Sequence, residues 1–287
     1  MSQQRIRQWY EHWNGDVYVS FSGGKDSTVL LHIVRSIYPE VPAVFVDTGL
    51  EYPEIRQFVK TAENVTWLRP EMSFKQVIEK YGYPVISKRQ AQYIRQAKHT
   101  KSDILRKLRI TGIRRNGRFS SYSKISDKWQ YLINAPFKVS EQCCNIMKIR
   151  PMDKYFKENG RYPYVGTMAS DGANRELEYL QTGCNSFEAN RPKSMPLGFW
   201  TEEDIWEYIR VKDVSYSRIY DMGYRRTGCI FCMFGAHLED SPNRFQRMKH
   251  THPQLWKYCM FNLGLADVLD YVGVDWGAQM EIDDLIC

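Results

Sequence analysis

The sequence predicts an α/β protein: a parallel twisted sheet with a helical, cysteine-rich C-terminal region. Three observations predict it. A β-rich run, a glycine loop, an apolar-periodic helix and a second β-rich run follow one another within the first fifty residues. A strand–helix–strand succession that short implies a parallel pair joined by a right-handed crossover. Further strand candidates then alternate with helical stretches, and beyond Gly183 the texture changes to aromatics, cysteines and short helices.

The elements follow in order. Asp16-Val-Tyr-Val-Ser-Phe21 is the first strand, and Ser22-Gly23-Gly24-Lys25-Asp26-Ser27 is the loop. Thr28 to Ile37 carries Val29, Leu30, Ile33, Val34 and Ile37 at helical spacing, and Val41 to Val46 is the second strand, ending at Asp47. Val65–Leu68 and Tyr162–Thr167 are further strands. Helices are expected over Ser73–Lys80, Lys88 to about Leu108, Met152–Asn159 and Thr201–Arg210, the last with Thr201 as N-cap and an acidic first turn. The expected organisation is a nucleotide-binding domain over residues 1–183, interrupted by a basic insertion at 88–128, and a helical region over 184–287.

Composition bounds the function. The 287 residues carry a net charge of +7, with 43% hydrophobic residues, which excludes collagen, coiled coil and wholesale disorder. No apolar run approaches the roughly 20 residues of a membrane span, and Met1-Ser-Gln-Gln-Arg5 lacks the apolar stretch of a secretory signal. A cytoplasmic setting without a membrane partner is therefore expected, and homo-oligomerisation is left open. Residues 88–128 hold thirteen bases against two acids, whereas the remainder holds 27 bases and 31 acids.

The Ser22–Ser27 loop has the chemistry of an anion cradle. Two glycines permit a tight turn that brings backbone N–H groups to a phosphate, and the following helix adds its positive end. Ser22 and Ser27 offer hydroxyls, Lys25 a mobile charge, and Asp26 either a helix cap or a carboxylate for magnesium. Neither the Gly-x4-Gly-Lys-Ser/Thr loop nor Gly-x-Gly-x-x-Gly is present. Asp47, at a strand's carboxyl end, stands either as a ligand contact or as a turn cap.

Ser22-Gly-Gly-Lys-Asp-Ser27 resembles the PP-loop of the N-type ATP pyrophosphatases, or adenine nucleotide alpha hydrolases. Val46-Asp47-Thr48-Gly-Leu-Glu-Tyr-Pro-Glu54 resembles the next motif of their phosphoadenosine-phosphosulfate (PAPS) reductase branch. The resemblance implies that Ser22, Gly23, Gly24, Lys25, Asp26, Ser27, Asp47, Thr48 and Gly166 contact ATP, or adenylyl sulfate (APS) or PAPS. It also implies roles in the reaction for Lys25, Asp26 and Arg175. Arg175 is the base retained in the Gly166–Glu176 segment, where Thr167 and Met168 stand in places in which the family often has Arg.

Seven cysteines in a chain of this kind point to metal or sulfur chemistry rather than a disulfide scaffold. Cys143-Cys144-Asn-Ile-Met-Lys-Ile-Arg-Pro151 and the Cys229-x-x-Cys232 pair resemble the ligands of the family's 4Fe–4S members. Four thiolates suit soft irons, a structural zinc remains the alternative, and Cys184 is an alternative ligand. The reductases' Glu-Cys-Gly-x-His string is absent. Cys287 ends the chain beside Asp283 and Asp284, which would raise rather than lower a thiol pKa.

In the basic segment, Arg95, Lys98, Lys101, Arg106 and Arg109 recur at three- and four-residue steps, predicting a basic helix stripe. Arg114-Arg115-Asn-Gly-Arg118-Phe119 follows as a basic loop or hairpin, with Tyr122 and Trp129 nearby. The mix suits nucleic acid, with an anionic ligand, an acidic protein and a plain surface as alternatives. The expected function is an ATP pyrophosphatase that uses magnesium, carries a 4Fe–4S cluster and activates a nucleic acid for sulfur transfer from a donor protein. The alternatives are an APS/PAPS reductase using a thiol reductant, and a nucleic-acid-binding module with a structural cluster.

Overall fold

Val17–Ser20 forms strand β1, whose Val17, Tyr18 and Val19 are all buried. A strand covered on both faces reads as a continuous apolar run, as here. In the computed structural model, which describes residues 1–278, β1 pairs in parallel with β2 (Ala43–Val46) and β5 (Tyr162–Val165). Strand β3 (Val65–Leu68) lies outside β2, also parallel. Beyond β5 come the two-residue strands β7 (Lys193–Ser194), parallel, and β6 (Asn185–Ser186), antiparallel to β7. The order is β3-β2-β1-β5-β7-β6. The winding therefore reverses at β1, and the carboxyl ends of β1 and β5 flank the switch point where open α/β sheets bind ligands.

The expected strands form within two residues of their predicted ends. The first helix after the loop, Lys25–Arg35, starts earlier than its apolar period implied because Gly24 is extended (φ −78°, ψ 157°) and serves as N-cap. Its Val29, Leu30, Ile33 and Val34 are buried. Glu202–Lys212 has the expected Thr201 cap, completed by Asp204 as a reciprocal capping box. The single helix expected over 88–108 is instead two, Lys88–His99 and Asp103–Thr111. Thr100 is extended, and the Ser102 side chain accepts from the Leu105 amide, which restarts the helix. Helices Ser2–His12 and Pro53–Thr61 are additional to those expected. Pro53 at the first turn is a start signal for the second of these.

By its contacts the chain forms two compact units, each discontinuous in sequence. The first is Met1–Glu71 with Lys148–Ile230 and contains the six-stranded sheet. The second is Met72–Met147 with the chain from Phe231 onward. It contains the parallel pair β4 (Val85–Ile86) and β8 (Met233–Phe234), and the basic segment. Residues 184–230 belong with the sheet, to which they add β6 and β7. Among the described residues no helix is long and apolar enough to cross a membrane.

Candidate active site

The Ser22–Ser27 loop follows β1 at the switch point. Gly23 adopts φ +73°, and a Cβ there would lie 2.7 Å from Val59 Cγ2 and 2.9 Å from Ile55 Cγ2. The glycine therefore lets the loop lie directly on the helix Pro53–Thr61. Ser27 Oγ accepts from the Ser22 amide at 3.1 Å and donates to the Gly24 carbonyl at 2.9 Å, holding the loop from within. Gly166, after β5, backs onto the same turn: a Cβ would meet the Asp26 carbonyl and Ser27 amide at 3.1 Å.

Lys25 is almost wholly buried. Its ammonium lies 3.2 Å from Glu202 Oε1 and 3.5 Å from Asp26 Oδ1, and donates to the Arg225 carbonyl at 3.3 Å. Burial alone would lower its pKa, but Asp26, Tyr220 and Glu202 together carry it above the usual lysine value. It stays charged at neutral pH. Asp26 is shifted upward, burial opposing its charge more than Lys25 supports it, with Asp171 and Glu202 adding repulsion. Its Oδ1 is buried without a hydrogen-bond partner. The Lys25 amide donates to the Tyr220 hydroxyl at 2.7 Å, so an incoming phosphate would compete with Tyr220 for that donor.

Two adjoining cavities share Ser22, Thr227 and Gly228. One, of about 130 Å³, sits over the carboxyl ends of β1 and β2 and is walled by Phe21, Phe45, Tyr52, Ile55 and Met152, with Glu51 and Lys148 as its charged groups. The other is an open cleft of about 480 Å³ lined by Gly24, Lys25, Asp26, Asp171, Arg175, Glu202, Glu203, Tyr220 and Arg226, among others. Arg175 and Arg226 both pair with Asp171, Arg226 at 3.8 Å. An apolar, aromatic slot thus opens beside a charged cleft.

Ser22, Gly24, Lys25, Asp26 and Arg175 thus meet at one cleft, with Gly23, Ser27 and Gly166 shaping the loop behind it. Asp47 and Thr48 are not among the residues lining either cavity. Asp47 is buried and accepts from Arg56 at 2.9 Å and from the Gly49 amide at 3.2 Å, while Thr48 donates to Glu51 at 2.7 Å. Sequence reasoning missed Glu202, Glu203, Tyr220 and Arg226, which also line the cleft. These four lie far from the loop along the chain, and only folding brings them to it. Glu202 and Glu203 stand in the acidic first turn and Arg226 just ahead of the Cys229-x-x-Cys232 pair, but neither pattern links them to the loop.

The cysteines divide between the units. Cys143 and Cys144 sit where a short α-turn passes into the π-helical turn Asn145–Ile149, with their Sγ atoms 4.0 Å apart. With Cys232 they belong to the second unit, and Cys184 and Cys229 belong to the first. Cys184 is buried, and burial raises its thiol pKa against hydrogen bonds from Tyr179 and Arg5. Cys259 is fully buried. Cys287 lies outside the described residues. Among the described residues no group of three or more His, Cys, Asp or Glu side chains is gathered into a metal site. The donor chemistry nonetheless fits a cluster, since two thiols share one turn and a Cys-x-x-Cys pair follows Gly228.

The expected basic stripe is corrected. Arg95 makes a two-pronged pair with Glu141 at 2.6 and 3.0 Å. Arg106 donates to the Ala97 and Thr100 carbonyls, and Arg109 to Gln96 and the Ser123 carbonyl. Arg106 and Arg109 tie the two helices and the following turn together, and Arg95 ties the first helix to Glu141. The break at Thr100 turns the second helix off the line of the first, so the three- and four-residue spacing does not run along one face.

A glycine loop at a sheet's switch point, with an aromatic slot beside it, defines an α/β protein with a cleft at the carboxyl edge of its sheet. The chain belongs to the phosphoadenosine phosphosulfate reductase domain family, whose model matches residues 16–129 and 120–234. An uncharacterised protein of Methanocaldococcus jannaschii is 26% identical over 277 residues, 94% of this chain and 52% of its own length. A second from that organism is 24% identical over 256 residues, 88% of this chain and 42% of its own. The chain thus spans about half the length of these two relatives. The adenosine 5'-phosphosulfate reductase of Staphylococcus epidermidis is 25% identical over 238 residues, 79% of this chain and 74% of its own. Among solved structures, a PAPS reductase from Candida auris overlays 80% of this chain and 88% of its own, with a TM-score of 0.48 and 17% identity.

Proposed function

We propose that the chain is an ATP pyrophosphatase that activates a nucleic acid for sulfur transfer and carries a 4Fe–4S cluster. The charge balance of the cleft carries this reading. Lys25, Arg175 and Arg226 face Asp26, Asp171, Glu202 and Glu203, and the cations are already paired with acids of that group. A bare sulfate or phosphate would meet near-neutral pairs, whereas a magnesium–polyphosphate brings cations for the carboxylates and anions for the bases. Asp26, whose Oδ1 accepts no hydrogen bond and has the Lys25 ammonium 3.5 Å away, would turn to the magnesium.

The adenine ring suits the slot walled by Phe45, Tyr52 and Met152. As an acceptor oxygen attacks the α-phosphorus, Lys25 and the Ser22–Gly24 backbone would stabilise charge growing on the departing pyrophosphate. Arg175 would orient the phosphates from across the cleft. Cys143, Cys144, Cys229 and Cys232 would hold the cluster, which supplies sulfur carriage or electron transfer when bound. Lys148, four residues beyond Cys144, lines the nucleoside slot, so the cysteine pair and the nucleotide contact share one short stretch of chain.

Pyrophosphate release from ATP by anaerobically purified protein, with and without nucleic acid, tests the reading. Release stimulated by nucleic acid is expected. The adenosine 5'-phosphosulfate reductase relatives favour a second reading, thiol-dependent release of sulfite from APS or PAPS. Sulfite formed without any pyrophosphate from ATP would establish the second and exclude the first.

A further inference from the structure

The second unit carries a surface that nucleotide binding does not use. An open cavity of about 490 Å³ is walled by Trp129 and His237, whose rings meet edge to face at 5.1 Å. Ser87, Lys88 and Gln90, at the start of the helix Lys88–His99, form another side. His237 Nδ1 is buried there without a hydrogen-bond partner. Burial, with Lys128 adding to it, lowers the ring's pKa, so the imidazole is neutral at neutral pH.

The same helix start leads outward to exposed aromatics and cations. The Arg89 guanidinium lies 4.2 Å over the exposed Tyr122 ring, and the Lys124 ammonium 5.9 Å from the exposed Phe119 ring. Phe119 pairs with Ile113 across a tight turn whose tip displays Arg114, Arg115 and Arg118, all exposed. None of these three makes an ion pair among the described residues, in contrast with the arginines inside the helix pair.

We propose that this surface binds single-stranded nucleic acid, with one nucleotide seated against Trp129 and His237 and the phosphates running toward the Arg114–Arg118 tip. The inference deepens the activation reading, which calls for a polyanionic acceptor, and rests on it for the acceptor's role. Arginine beside exposed aromatic faces suits unstacked bases, which a duplex keeps hidden. The cavity wall offers a base the Trp129 and His237 rings. An acidic protein would use the cations but leave the rings idle.

Fluorescence anisotropy with labelled single-stranded RNA, single-stranded DNA and duplex DNA, each about 20 nucleotides long so as to exceed the footprint of one binding surface, tests this without ATP. Single strands bind more tightly than duplex, and the RNA and DNA arms identify the acceptor. Replacing Arg114, Arg115 and Arg118 together by Ala weakens binding about 10- to 100-fold and flattens the salt dependence by about 2 in log–log slope. Trp129→Ala weakens it about tenfold. Because Trp129 is buried, Lys88→Glu with Lys128→Glu, both exposed, provides a second variant, also weakened about tenfold and with unchanged thermal stability. Unaltered binding by the triple arginine variant, or no saturable binding at about 50 mM salt, overturns the proposal. Equal affinity for duplex overturns the seated base. Oligonucleotides that bind without ever stimulating pyrophosphate release would remove the activation reading and leave this surface standing; pyrophosphate release with no oligonucleotide binding would overturn this surface and leave only the ATP pyrophosphatase part of that reading.

Discussion

Lys25 and Asp26 share one buried corner, yet the protein matrix treats their charges differently. Lys25 has three oxygen partners within 3.5 Å and stays charged, so Lys25→Ala should lower pyrophosphate release about 100-fold, measured by a coupled phosphate assay. Asp26 is held charged at a cost, since its pKa is raised above the unfolded value. Asp26→Asn should therefore raise the melting temperature at pH 7 while abolishing release. The gain should fade as pH falls through the raised pKa and below the ordinary carboxylate range, where the native side chain is neutral in both states. A melting-temperature profile carried from neutral pH down through the ordinary carboxylate range checks the sign. Gly23→Ala combines φ +73° with a Cβ 2.7 Å from Val59 and should cost about 2–3 kcal/mol by urea unfolding. The loop's residues were legible in sequence because glycine, serine and lysine sit together there. Glu202 and Tyr220 were not, because their roles arise from contacts with a loop far earlier in the chain.

Among the elements, β1, β2, β3 and β5 were read to within two residues because their largely apolar runs are bounded by turns, whereas the two-residue strands β4, β6, β7 and β8 were not, being too short to leave a pattern. The helix pair Lys88–His99 and Asp103–Thr111 was read as one because the break is set by Ser102 capping, which a charge-spacing pattern does not register. The break redirects Arg109 from the surface to an internal tie: it donates to Gln96 at 2.7 Å and the Ser123 carbonyl at 2.8 Å, and stacks 3.7 Å over Tyr93. Arg109→Ala should destabilise the protein by about 1–2 kcal/mol in urea unfolding, whereas Arg115→Ala, at the exposed turn tip, should leave stability unchanged.

At the scale of the molecule, the cysteines make the clearest prediction. Protein purified without oxygen should be brown and contain iron and acid-labile sulfide, and Cys144→Ser or Cys229→Ser should lose most of both. Cys184→Ser should retain them, since its thiol faces Tyr179 and Arg5 and burial favours the protonated form. Colourless protein carrying zinc would overturn the cluster. The sequence by itself determined the α/β class, the glycine loop after the first strand and the sulfur-rich character, because each is written in short runs of neighbouring residues. Only the tertiary structure decided which charges face the cleft, which arginines are internal ties, and that both compact units are assembled from separated stretches of chain. Those depend on contacts between residues far apart in sequence, which no local pattern encodes.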